Sequence, residues 1–170
     1  MINGVGIFLF VNLTRAEKIP SITKPEKDNF LGWIKKNTSE DDLFLNYTDV
    51  DIRTTVLRSD FFRFQTPPLT GDSEISWYKK YCVYYDIPDE INETDYINVK
   101  KYASSKHIIN TERVVKRSNS QIKYILISKT KKSFSRIEDW VNLKHKNYKY
   151  DLNNFRKIFE NKDYAVYLVI

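Results

Sequence analysis

Two carboxylates two residues apart, Asp49 and Asp51, are followed by Arg53, Arg58 and Arg63. Carboxylates at this spacing could hold Ca²⁺ or accept hydrogen bonds from sugar hydroxyls. Guanidinium groups grip phosphate or carboxylate through a planar fork. The five residues together are the best candidate ligand site in the sequence. An architectural account stands beside the functional one: Asp51 suits the N-cap of a helix, and Asp49, Asp51 and Asp60 could pair with the neighbouring arginines.

The second concentration of chemistry is electrostatic. The net charge of +6 is unevenly spread: residues 1–99 hold 11 basic and 16 acidic side chains, residues 100–150 hold 14 and 3, and the last twenty are balanced. A basic block of this kind can attract phosphate, nucleic acid or anionic lipid, and Lys116, Arg117, Lys131 and Lys132 are its candidate contacts with an anionic surface. A solvated, lysine-rich surface with no partner accounts for the same charge run. Tyr102, Tyr124, Tyr148 and Tyr150 interleave with the block as a single-strand binder would need, but no helix-turn-helix, RRM or KH pattern accompanies them.

Most catalytic classes are excluded by what is missing. Neither a Walker loop nor Gly-x-Gly-x-x-Gly occurs among the four glycines, and Gly-x-Ser-x-Gly and His-Glu-x-x-His are absent. One cysteine, Cys82, and two histidines, His107 and His145, rule out a disulfide framework and a multi-Cys zinc site, so no metal and no cofactor is expected. Asp151 with Glu160-Asn-Lys162 comes nearest to a metal-nuclease set, but that Glu-x-Lys falls in an expected hairpin turn. Sequons begin at Asn12, Asn37, Asn46 and Asn92, where about two would arise by chance among 14 asparagines, and they are weak evidence for glycosylation.

Elements that must position these groups can be read from periodicity. Residues 1–25 form an apolar run, Val5–Val11, and an extended connector around Pro20 and Pro25; residues 26–170 form one α/β domain. The apolar run is too short to span a membrane, which takes about 20 residues. It reads either as a buried first strand or as the end of a membrane helix. The spacing of Phe30, Trp33, Ile34 and Asn37 predicts a helix from Glu26 to about Asn37. A strand follows at Leu43–Tyr47, then a short helix over Ile52–Leu57 capped by Asp51, then a strand at Phe61–Gln65.

A second long helix is expected from Asp72 or Ser73 to Tyr85, with Ile75, Tyr78, Tyr81, Cys82 and Tyr85 as its stripe, and a third from Asn92. His107–Asn110 suits a strand, Thr111–Arg117 a helix, Ile122–Ile127 a strand and Ser135–Leu143 a helix. Phe155–Phe159 and Tyr164–Ile170 read as a closing β-hairpin. This order implies a small open, mostly parallel sheet with flanking helices and a C-terminal antiparallel hairpin. The Asp49–Asp51 loop would then lie at the carboxyl edge of the strands, where open α/β sheets bind ligands.

Several phrases, in order, match one family pattern: Phe30-Leu-Gly-Trp-Ile-Lys-Lys-Asn-Thr38, Asp42-Leu-Phe-Leu45, Arg53 and Arg58, Pro68, Trp77-Tyr-Lys79, and Phe159-Glu-Asn-Lys-Asp-Tyr-Ala-Val-Tyr167. The chain resembles the soluble C-terminal domain of multispanning bacterial membrane proteins of surface-polysaccharide type. These are similar in layout to GT-C glycosyltransferases that use lipid-linked sugars. The resemblance covers about residues 26–85 and 155–170, with Ser39 standing where the pattern has Pro.

The resemblance implies a location on the extracytoplasmic face of a bacterial membrane, and a membrane or lipid-linked saccharide, with anionic lipid, as partner. It also implies that this chain alone does not transfer sugar, since GT-C catalytic acids sit in membrane-portion loops. The expected function is therefore a non-catalytic domain for lipid-linked glycan handling. The alternative is a cytoplasmic nucleic-acid-binding protein or small nuclease that uses residues 100–150. Arg15 and Lys18, beside the apolar run, favour a cytoplasmic side.

Overall fold

Helix α1 (Pro25–Asn37) shows how local chemistry sets the architecture in this computed structural model, which describes residues 24–62, 71–92, 98–99, 101–102, 108–119, 121–129 and 148–170. Pro25 occupies the first helical turn, where a missing N–H costs nothing, and Glu26 and Asp28 favour the positive end of the helix. Phe30 and Ile34 are fully buried on the face that meets the sheet. The helix ends in polar groups that satisfy its last carbonyls: Asn37 Nδ2 donates to Trp33 O at 2.8 Å and Thr38 Oγ1 to Ile34 O at 2.7 Å.

The remaining elements are β1 (Leu43–Tyr47), α2 (Ile52–Val56), β2 (Ser59–Asp60), α3 (Gly71–Tyr84), α4 (Asp89–Asn92), β3 (Ile108–Ile109), α5 (Thr111–Arg117), β4 (Ile122–Ser128), β5 (Lys149–Tyr150), β6 (Arg156–Glu160) and β7 (Tyr164–Leu168). Five strands form one sheet in the order β2-β1-β4-β7-β6. It is a mixed sheet: β1 runs parallel to β2 and β4, whereas β7 runs antiparallel to β4 and β6. The α/β class and the closing hairpin are as the sequence predicts. Strands β3 and β5 pair separately, in parallel.

Both faces of the central strands are covered, which is why Ile122–Ile127 reads as a nearly unbroken apolar run. Phe44, Tyr124, Leu126, Tyr164 and Val166 pack under α1 and α2. Leu45, Tyr47, Ile125 and Ile127 face the other way, towards Val114 and Val115 of α5. A third cluster gathers around α3 from Phe62, Tyr81, Cys82, Tyr85, Ile87 and Val99.

Three expectations are corrected. The second strand lies at Ser59–Asp60, ahead of the expected start at Phe61. Phe61 and Phe62 are outside it, Phe62 turning away to pack on Trp77 and Tyr84 of α3 with centroids 5.7 and 5.1 Å apart, and residues 63–65 of the expected strand lie outside the described residues. Ile75 is 55% exposed and does not belong to the buried stripe of α3. A short helix, α4, begins directly after Pro88, where only a stop is expected. Val5–Val11, Arg63, Lys131, Lys132 and Ser135–Leu143 lie outside the described residues, as does most of the helix expected from Asn92.

Candidate functional site

The loop after β1 is shaped by a buried amide. Asn46 Nδ2 donates to Val50 O at 2.9 Å, and its Oδ1 accepts from Thr48 N at 3.0 Å and Thr48 Oγ1 at 2.7 Å. The Thr48 hydroxyl in turn accepts from Val50 N. These bonds replace the strand ladder and turn the chain into α2. The amide of the Asn46 sequon is thus inside the fold, 8% exposed and already bonded.

Asp51 caps α2, its Oδ1 accepting from Arg53 N at 3.1 Å and Thr54 N at 3.3 Å. Asp49 is exposed, and its Oδ1 accepts from the Tyr164 hydroxyl at 3.3 Å, which ties the loop to β7. The Arg53 guanidinium is exposed and has no partner among the described residues.

Arg58 is buried, 6% exposed, and faces inward. Its Nε donates to Thr38 Oγ1, one terminal nitrogen to Val56 O at 3.0 Å, and the other to Lys35 O at 3.2 Å and Thr38 O at 2.8 Å. It therefore closes the carboxyl ends of α1 and α2 together, and little of its fork is left for a ligand. The structure brings Asp49, Asp51 and Arg53 to one loop; Arg58 it places at the far end of α1.

The carboxyl edge has a second organising contact. Asn161, in the turn of the β6–β7 hairpin, donates from Nδ2 to Glu26 O at 2.7 Å, and Lys162 N reaches Glu26 Oε2 at 3.4 Å. Asn161 Oδ1 meanwhile accepts from Asp163 N and Tyr164 N. Lys129, leaving β4, donates to Asn161 O at 2.9 Å and pairs with Glu160 at 2.7 Å. Hydrogen bonds from Lys129 and Lys157 hold the Glu160 carboxyl down at about 2. The first turn of α1, the hairpin turn and the end of β4 are thus one linked surface.

No family model, curated protein or solved structure matches the chain.

The basic block meets the acidic excess of the earlier residues. Arg113 grips Asp86 with two nitrogens, Arg117 pairs with Asp89 at 2.6 Å, and Lys123 pairs with Asp42 at 2.7 Å. Lys116 is 73% exposed and bonds within its own helix to Glu112 at 2.8 Å. Asp151 accepts weakly from Asn153 N at 3.5 Å, while Glu160 is taken by its two lysines. Among the described residues no three His, Cys, Asp or Glu side chains group as a metal site, and no helix is long and apolar enough to cross a membrane.

Sequence reasoning missed Asp86. It sits just past α3 in the left-handed region, φ 54, with Ile87 N donating back to Cys82 O at 2.8 Å. Glycine usually fills such a helix end. The aspartate is kept fully buried because its carboxylate joins α3 to Asn110 N and Arg113 at the start of α5. The available signal was an acidic residue at the end of an apolar stripe, two before Pro88.

Proposed function

We propose that the chain is a non-catalytic domain of a membrane protein that handles lipid-linked glycan, with its carboxyl edge towards the membrane. One observation carries this reading: the linkage of Asn161 and Lys162 to Glu26. It fixes the first turn of α1, the point to which the apolar run Val5–Val11 and its connector lead, as a rigid part of the domain. The same edge carries Asp49, Arg53 and Lys129, and in the sequence Lys131 and Lys132 follow Lys129 directly after Thr130. The partner class is anionic lipid and the polar head of a lipid-linked saccharide, and the location is extracytoplasmic. Asp51 caps α2, Asp49 bonds Tyr164 and Arg58 bridges two helix ends, in keeping with a positioning role rather than a chemical one.

Vesicle flotation of the full chain tests the reading. Binding to vesicles with anionic lipid should exceed binding to neutral vesicles at low salt, fall as salt screens the charges, and weaken in K131E/K132E. Equal flotation with both lipid compositions would remove the lipid-facing role. A nucleic-acid role receives less support, because Arg113, Arg117 and Lys123 are engaged with acids of the same chain. A salt-dependent gel shift with single-stranded or duplex DNA would reverse that preference.

A further inference from the structure

A cleft opens at the other end of the strands, beside Leu43 at the start of β1, with a volume of about 800 Å³. That size is in the range of small-molecule sites. Lys79 and Lys80 reach it from α3, Arg117 from the last turn of α5, and Asn119 and Gln121 from the segment entering β4, while Phe61 forms an apolar wall. None of these residues belongs to the carboxyl-edge surface.

The chemistry of the lining is selective. Lys79 and Lys80 are exposed and have neither an ion pair nor a hydrogen bond among the described residues. Arg117 is already oriented: its terminal nitrogens donate to Ile87 O and to Asp89 Oδ1, and its side chain is 18% exposed. A guanidinium has five N–H donors, so Arg117 keeps donors for a ligand without the entropic cost of ordering its fork. Asn119 is held in the left-handed region, φ 61. Neither its amide nor that of Gln121 has a side-chain hydrogen bond among the described residues.

Two exposed lysines and one oriented guanidinium outnumber the carboxylates of Asp60 and Asp89, which also line the cleft, and suit a compact anionic group. Amides that both donate and accept suit hydroxyls, and an aromatic wall suits the apolar face of a saturated ring. We propose that this cleft binds a sugar phosphate or a uronate, with the charged group on Lys79, Lys80 and Arg117 and the hydroxyls on Asn119 and Gln121. The proposal goes beyond the membrane-facing role and does not depend on it.

Titrations of the isotopically labelled full chain, followed by amide NMR, test it with four probes: glucose 6-phosphate, glucuronate, inorganic phosphate and glucose. At least one anionic sugar should shift the amides of Lys79, Lys80, Arg117, Asn119 and Gln121 saturably. Phosphate alone should bind about tenfold more weakly, and glucose should leave them unmoved. A response to glucose 6-phosphate alone assigns a phosphoester, a response to glucuronate alone assigns a carboxylate, and a response to both assigns the charge on a ring.

K79A/K80A changes only exposed side chains and should weaken binding on the order of tenfold, with Lys36→Ala as the unaffected control. The proposal is overturned if neither anionic sugar gives saturable shifts by roughly 20 mM. It is also overturned if phosphate alone binds as tightly as its sugar ester, or if K79A/K80A binds as the parent does. Vesicle flotation uses the opposite edge, so a failure there leaves this titration unchanged.

Discussion

The Arg58 guanidinium donates to carbonyls at the ends of two helices, so its charge opposes the negative poles of both. Arg58→Ala would strand those carbonyls in a buried site, and a loss of about 3 kcal/mol is expected from charge-assisted bonds of this kind. Arg58→Lys should recover only a minority of that loss, since one ammonium cannot reach both helix ends. Urea unfolding should show a lowered midpoint at unchanged slope; a midpoint equal to that of the parent would show that the bonds are dispensable. Cys82 lends itself to a simpler test. It is fully buried, and burial pushes its thiol up to about 11. A thiol reagent at pH 8 should leave the folded chain unlabelled and react once denaturant unfolds it.

Among the elements, the β6–β7 hairpin concentrates the acid sensitivity. Glu160 has a folded value near 2, below the ordinary carboxyl range, because Lys129 and Lys157 stabilise its charge. Its contribution is complete above the unfolded value of about 4.3 and is lost as pH falls through about 2. Unfolding midpoints measured across that window should fall more steeply for the parent chain than for Glu160→Gln; parallel profiles would mean that the two lysines add nothing.

Long periodic elements were legible in the sequence: α1 and α5, strands β1 and β4, the hairpin and the Asp51 cap all fall where spacing places them. Of the two-residue strands, β3 falls within the strand expected at His107–Asn110, whereas β2 and β5 are too short for periodicity to specify. β2 was misplaced because Phe61 and Phe62 look like strand residues while Phe62 serves the α3 core. Asp49, Asp51 and Arg53 were correctly read as neighbours, but the inward turn of Arg58 depends on where α1 ends, a contact across 20 residues that local pattern does not carry.

Across the whole molecule, the uneven charge of the sequence becomes a set of bridges. The acids of the first part, Asp42, Asp86 and Asp89, hold Lys123, Arg113 and Arg117 of the basic block. Asp86 is fully buried whereas the Arg113 side chain is about half exposed, so the two halves of this pair are not equivalent. Arg113→Ala removes the charged partner of a fully buried carboxylate and should cost about 3 kcal/mol or more. Asp86→Asn keeps a hydrogen-bonding group in place and should cost less. Equal losses in thermal unfolding would show that the carboxylate's burial does not set the cost.

The link between the first turn of α1 and the hairpin turn also has a mechanical consequence. Both lie where β7 begins, whereas Leu168, opposite Tyr124, marks the far end of that strand. Tension applied between residues 25 and 170 would therefore pull along β7. Its hydrogen bonds to β4 and β6 run across the strand, so they would be loaded in shear and would have to yield together rather than open one by one. Held between an anchor at its amino-terminal end and a pull on its last strand, the domain would resist unfolding in the direction of its strongest bonding.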